Sequence, residues 1–496
     1  MLKLKTILTL LTACLMLGIA AIPSLAADSD ISAAFSDANF VAAVRAEINK
    51  AAGPIFSGDV AGITFLDVSE KNIASLAGIE YFTALQELRC GDNRLATLDV
   101  SSLSSLQRLW CPGNGMRALK VSGLTKLQEL DCSENSLSEL DTSGLVSLWE
   151  LHCQYNKLSA LDVSGLTALQ SLWCDSNRLT ALTVSGLPEL YELFCNDNRL
   201  SALTVSGLPA LFYFNCSKNY LESLNVSGLP ALEGLLCSSN RLSALDVSGL
   251  SLLQGLICEE NLLTTLDVSN LAALTGLHCS SNMLTSLVMG QHPQLQKLNC
   301  QRNRLSGLDI SGLSGLFDLD CSYNYMKSPQ DIIGNSADIT KLTFEPQFSA
   351  GFYSVICISG LPDQAIAGTP LKLAATVLPD DATNKSIEWY ITDEGGTGAT
   401  IYGSTLTATS PGIIQMTARI EAAAGEYGDY IKDFQITVAQ AVVEDTTEAE
   451  NGGGAEKDRT TQNSGPAPLP LAIGAAVVIL LAAGAAIKVR KKNSEG

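Results

Sequence analysis

Residues 148–168 read Leu-Trp-Glu-Leu-His-Cys-Gln-Tyr-Asn-Lys-Leu-Ser-Ala-Leu-Asp-Val-Ser-Gly-Leu-Thr-Ala, and the pattern returns every 21 residues. The first part alternates, with Leu151 and Cys153 on one side and Glu150, His152 and Gln154 on the other. That is the two-residue period of a strand. Leu158, Leu161 and Val163 supply a return segment with its own inward residues, and Ser164-Gly165-Leu166 reads as a turn. Twelve cysteines hold this register: Cys90, Cys111, Cys132, Cys153, Cys174, Cys195, Cys216, Cys237, Cys258, Cys279, Cys300 and Cys321. Three residues after each stands an asparagine, from Asn93 to Asn324. A fixed period in the range of roughly 20–50 residues marks a solenoid, whose units must stack because none can bury its apolar face alone.

The asparagines and cysteines have different expected jobs. A tight coil leaves backbone N–H and C=O groups inside, and an amide with two donors and an acceptor can satisfy them. The cysteines could be bridged from coil to coil or could form a ladder of buried thiols. In-register parallel strands lie ~4.8 Å apart, with equivalent Cβ atoms pointing the same way. A disulfide prefers Cβ atoms ~3.5–4.5 Å apart with the sulfurs turned together, so the spacing favours thiols. The recurring Asp99, Asp141, Asp162, Asp246, Asp267 and Asp309 read as caps of the turn that follows.

The unit resembles the leucine-rich repeat family in a 21-residue bacterial form with cysteine at the third strand position. The resemblance runs from about Ile63 to Asn324 and implies an α/β-type solenoid with a parallel sheet on its concave face. Residues 28–62 carry an amphipathic segment, Phe35 to Ile48, and resemble the helical cap of internalin-like proteins; the solenoid with its closure is expected over 63–352. Residues 353–440 turn to short alternating strands, such as Leu371–Val377 and Asp433–Val438. With the run Pro379–Trp389 they resemble a group 2 bacterial immunoglobulin-like domain, an all-β sandwich expected to act as a spacer. Trp389 is expected in its core.

The two ends suggest a compartment. Residues 1–27 have the basic start, apolar stretch and Ser24-Leu25-Ala26 site of a signal peptide. Residues 441–468 form an acidic, Gly- and Pro-rich linker, residues 469–487 an uncharged stretch of transmembrane length, and residues 488–496 a basic tail expected to stay in the cytoplasm. These predict a single-pass membrane anchor with an exterior N-terminal part, on a bacterial, Gram-positive cell. So many unpaired thiols in an exported chain point to an anaerobic organism or to very complete burial. A net charge of −20 argues against nucleic acid as partner.

The chain has three histidines, and His152 and His278 stand six repeats apart, nearly 30 Å at ~4.8 Å per coil. No metal, cofactor or enzymatic activity is expected, since no nucleophile, base and orienting group converge. What varies on the constant scaffold is the outward face. Its candidate ligand-binding residues are Trp110, Trp149, His152, Trp173, Tyr191, Phe194, Tyr213, Asn215, Leu236 and Ile257, apolar in the middle and polar at both ends. The resemblance implies non-catalytic recognition of a protein ligand, or adhesion. A carbohydrate partner is the alternative, with rings stacking on sugars and Glu150, Glu192, Asp175 and Asn196 accepting from hydroxyls. A purely structural envelope protein is the third reading.

Overall fold

The computed structural model describes residues 28–334, 339–349, 352–421 and 429–440. The expected signal peptide, linker, membrane span and tail lie outside the described residues, among which no helix is long and apolar enough to cross a membrane. The chain divides into two compact units, residues 1–273 and 274–496.

The first unit opens with the cap. Helix α1, Ala38–Glu47, starts at Asp37, whose Oδ1 accepts from the backbone N–H groups of Asn39 (2.9 Å) and Phe40 (3.0 Å). Its Oδ2 accepts from Ala74 N–H at 2.7 Å, so a single carboxylate caps the helix and ties it to the first coil. Phe40 and Val44 are fully buried, and the Phe40 ring stacks on Phe82 at 6.4 Å.

From Phe65–Asp67 onward each coil contributes a three-residue strand, and neighbours pair in parallel and in register as far as Gly255–Ile257. The middle residue of each triplet points into the core and the outer two face out, as in Glu150–His152. The opposite wall corrects the sequence reading. An α/β-type coil was expected, yet the described coils hold no α-helix there, and the first has only the short 3₁₀ helix Ile79–Tyr81. They run extended, and some pair as strands, such as Ala181–Ser185 with Ala202–Ser206. The reason is length: after strand and turns a 21-residue unit has too few residues left for a helix of even two turns.

From Asn114 to Asn240 each asparagine binds four backbone groups, and Asn93 binds five. Asn156 Nδ2 lies 3.0 Å from the carbonyl of Cys132, 3.2 Å from that of Cys153 and 3.3 Å from that of Gln154, while its Oδ1 accepts from Leu137 N–H at 2.9 Å. Asn177, Asn198, Asn219 and Asn240 repeat the set. The residue just before each asparagine takes a left-handed backbone, and apart from Gly113 it is not glycine, as at Tyr155 (φ 55°), Ser176 (54°) and Asp197 (53°). Bonds from the asparagine side chain into the turn offset this unfavourable conformation, which ordinary residues seldom adopt. The expected use of glycine in the Ser-Gly-Leu turn holds at Gly123, Gly144, Gly186, Gly207 and Gly228, which have positive φ, but not at Gly165. The repeated aspartates cap that turn: Asp162 Oδ1 accepts from Ser164 N–H at 2.9 Å.

The cysteines from Cys90 to Cys237 are wholly buried and form no disulfide. Burial pushes the Cys90 thiol up to about 12 and the others well above their ordinary value, so they remain neutral and act as small apolar groups.

The second unit continues with triplets Gly276–His278, Lys297–Asn299, Asp318–Asp320 and Lys341–Thr343 in parallel. Past Asn324 the sequence period fails, but the last coil keeps the device with Gln347. Its Nε2 donates to the Cys321 carbonyl at 3.0 Å, and its Oε1 accepts from Asn324 N–H at 3.1 Å. Tyr325, Phe348 and Phe352 pack around this end. Three sheets follow. Cys357–Ser359 pairs with Thr376–Leu378, a second sheet holds Gln364–Ile366, Tyr430–Ala439, Gly412–Ile420 and Glu388–Asp393, and a third holds Leu371–Lys372, Thr405–Thr407 and Thr400–Tyr402. The last two share a core of Leu373, Leu406, Ile414, Met416, Ile436 and Val438. Trp389 is only partly buried and meets Phe434 edge-on at 6.0 Å.

The asparagine ladder yields a direct expectation. Asn156→Ala leaves buried backbone groups bare at ~1–3 kcal/mol each, so the chain loses about 3 kcal/mol or more. Asp162→Ala, on the exposed turn, costs about 1 kcal/mol or less. Denaturant unfolding followed by circular dichroism checks the difference, and equal losses would refute the role given to the amide.

Candidate functional site

The outward columns of the first unit place the candidate residues on one wall, because parallel pairing in register puts equivalent positions side by side. His152, Trp173, Phe194 and Asn215 are successive partners across their strands, and Leu236 and Ile257 extend the same column. Tyr213 lies one column away, in line with Glu150, Ser171 and Glu192. Trp149 and Tyr191 directly precede strand residues Glu150 and Glu192.

Four of these form a continuous stack. His152 lies on Trp173 with ring centroids 4.4 Å apart, Trp173 meets Phe194 at 5.1 Å, and Phe194 meets Tyr213 at 5.3 Å. A second run, Tyr191 to Phe212 at 6.1 Å and on to Tyr213 at 6.3 Å, joins it from the side. Such pairs each contribute ~0.5–1.5 kcal/mol beyond simple burial, so the rings are held in place before any ligand arrives. All are half-buried.

Two candidates stand apart. Asp131 separates Trp110 from His152 in the column, and the Arg89 guanidinium sits over the Trp110 ring at 4.2 Å. Trp110 therefore belongs to a neighbouring cluster with Arg89 and Phe65. Asn215 turns its Oδ1 back to accept from Ser217 N–H at 3.1 Å, which commits that oxygen to its own turn.

The sequence reading did not foresee Gly234. A Cβ there would lie 2.8 Å from the Tyr213 ring, so only glycine lets the ring lie flat over the next coil. The signal was present: glycine at 234 and 255 stands where earlier coils carry glutamate, arginine, serine or tyrosine.

Carboxylates line the stack. Glu150 Oε1 is 3.3 Å from His152 Nε2, and Ser171 Oγ is 3.4 Å from Glu192 Oε2. Burial raises the Glu150 carboxyl above its usual value, with Glu129, Asp131 and Glu192 adding repulsion. Burial also raises Glu192, against the pull of Ser171 and Trp173. The indole Nε1 of Trp173 is buried without a hydrogen bond of good geometry, although it draws on that carboxylate. Asp175 is pushed up to about 6, chiefly by burial, with its Ser176 bond opposing and Asp197 reinforcing. Burial depresses His152, and Asp131 and Glu129 only partly offset that.

No family model matches the chain, and no curated protein matches it. Among solved structures it is similar to an internalin (inlF) of Listeria monocytogenes, at 24% identity over 65% of this chain and 98% of that one, with a TM-score of 0.52. It also matches the functional domain of InlJ from Listeria monocytogenes, described as including a cysteine ladder, at 26% identity over 83% and 98% of the two chains and a TM-score of 0.48. A leucine-rich repeat protein of Leptospira interrogans matches at 29% identity over 51% and 70%, with a TM-score of 0.46. The internalin likeness, together with the parallel ladder, shows the fold to be a leucine-rich-repeat solenoid.

The stack makes a prediction about pH. Folding lowers the His152 pKa, so the neutral ring is favoured. The stability linked to it is complete above the unfolded value of ~6.5 and is lost as pH falls through the folded one. Nuclear magnetic resonance titration should place the His152 midpoint below that of an exposed histidine, with tryptophan emission changing over the same interval. A midpoint at or above the exposed value would contradict the stack.

Proposed function

We propose that this protein is a non-catalytic recognition or adhesion protein of a bacterial surface, and that its concave wall captures a protein ligand. The observation that carries the reading is the preassembled run from His152 through Trp173 and Phe194 to Tyr213, extended by Leu236 and Ile257 on the same wall. Half-buried rings set among polar neighbours concentrate binding energy where a partner can exclude water. The flat wall also suits recognition better than catalysis, because its polar groups are spaced by the strand repeat rather than gathered on one reacting atom.

In this reading the N-terminal signal and the apolar stretch at 469–487 hold the folded part outside the membrane, the acidic linker lifts it clear, and the sandwich serves as a spacer of immunoglobulin-like type. The thiol ladder suits a reducing, oxygen-poor habitat.

The test is ligand capture. Trp173→Ala combined with Phe194→Ala should abolish recovery of a protein partner from a pull-down with the full-length chain, while the circular dichroism spectrum stays that of the parent. Retained capture would overturn the proposal. Binding confined to a glycan array, with no protein recovered, would replace the protein ligand with a carbohydrate.

A further inference from the structure

Resting on the recognition role just given, we propose that the group this wall accepts is an arginine side chain from a basic segment of the ligand, its guanidinium seated beside Trp173 between Glu150 and Glu192. Three independent observations meet at that spot.

The first is charge. From Gln128 to Ser238 the outward positions of the wall hold Glu129, Asp131, Glu150, Asp175, Glu192 and Glu233, and no lysine or arginine. Arg108, one coil earlier, meets Glu129 at 3.0 Å and Glu87 at 3.4 Å. Among the described residues, Glu150, Asp175 and Glu192 have no lysine or arginine partner. The one basic group beside Glu150 is His152, which burial keeps neutral. The N-terminal part of the wall is thus compensated internally and the middle is not.

The second is placement. Glu150 and Glu192 flank Ser171 in a single column, with backbones roughly 10 Å apart, two strand spacings. Ser171 is 4% exposed and bonds Glu192, while Glu150 on its other side lies against His152, so only a small buried hydroxyl stands between the two carboxylate positions. Like charges there repel, and each is partly stripped of water. A cation between them removes that repulsion and replaces lost solvation.

The third is the aromatic wall. Trp173 follows Ser171 by two residues and presents its ring alongside, held by His152 and Phe194. With His152 and Phe194 on either side of the indole, a planar guanidinium packs along the outer margin of this row of rings while its forked N–H groups reach carboxylates on either side. An ammonium offers neither the plane nor the fork. A divalent metal would need six or more oxygens at ~2.3–2.6 Å, which rings and two separated carboxylates do not supply. The protein already shows this pairing internally: Arg89 lies over Trp110 at 4.2 Å while bonded to Glu87 at 2.8 Å.

The experiment titrates the full-length chain with an acetylated hexa-arginine peptide, and separately with hexalysine, by calorimetry at physiological ionic strength, with tryptophan emission as second readout. The arginine peptide should bind saturably and more tightly than the lysine peptide, and should change the emission. The pair Glu150→Gln and Glu192→Gln should weaken it by roughly tenfold or more. The pair Asp162→Asn and Asp246→Asn, on exposed turns away from the wall, should leave it unchanged. Absence of saturable binding, equal affinity for hexalysine, or equal losses from the two pairs of substitutions would overturn the assignment. The natural ligand separates this inference from the function it rests on. If its capture needs Trp173 and Phe194 but is indifferent to Glu150→Gln and Glu192→Gln, concave-face recognition stands and the arginine assignment falls.

Discussion

One buried amide per coil holds this solenoid together. Each asparagine side chain reaches carbonyls of its own turn and of the preceding coil and accepts an N–H from that coil, as Asn156 does with Cys132, Cys153, Gln154 and Leu137. Those groups lie where water cannot reach, and leaving them unmade would cost more than the net gain of an ordinary hydrogen bond. The amide also supports the left-handed residue that reverses the chain just before it. Leucines and thiols then fill the interior, but they do not fix its pitch. Gln347 at the last coil supports this account: when the repeat sequence degrades, the amide is what survives, carried on a longer side chain from a different position.

Because pitch and register are set from inside, the outward positions are free to vary without cost to the fold. That freedom allows a histidine, a tryptophan and a phenylalanine to occupy equivalent positions on three adjacent strands and pack ring against ring. Their rigidity favours binding, since less conformational freedom is lost when a partner arrives. The carboxylates alongside are held in the same way and cannot move far apart, so their mutual repulsion is built into the free protein and is relieved by a cation. The coupling thus runs mainly from fold to wall: the ladder positions the rings, and the ring contacts add about 0.5–1.5 kcal/mol each to a register set from inside.

The sequence made much of this legible because a repeat is its own alignment. Columns that never change, such as the leucines, Cys153 with its equivalents and Asn156 with its equivalents, disclosed the core and the ladder. Columns that change disclosed the outward wall. The rest was hidden for physical reasons. Whether the return segment is helix or extended chain depends on how many residues remain after the turns, and its leucine spacing fits either. That Trp110 is covered by Arg89 depends on rotamers, which a periodic pattern does not determine. That Asn215 spends its oxygen on Ser217 is a local competition between turn and surface. Gln347 was missed because a search by period stops where the spacing changes.

The most direct measurement is the thermal unfolding of two deletions that differ only in phase. Removing residues 114–134, one full 21-residue repeat, joins Gly113 to Asn135 and returns every later amide to its place. The account predicts a cooperatively folded protein with parent-like tryptophan emission. Removing residues 114–124 breaks the step and should abolish cooperative unfolding around the junction. Equal tolerance of the two deletions would contradict a fold held by amides at a fixed interval.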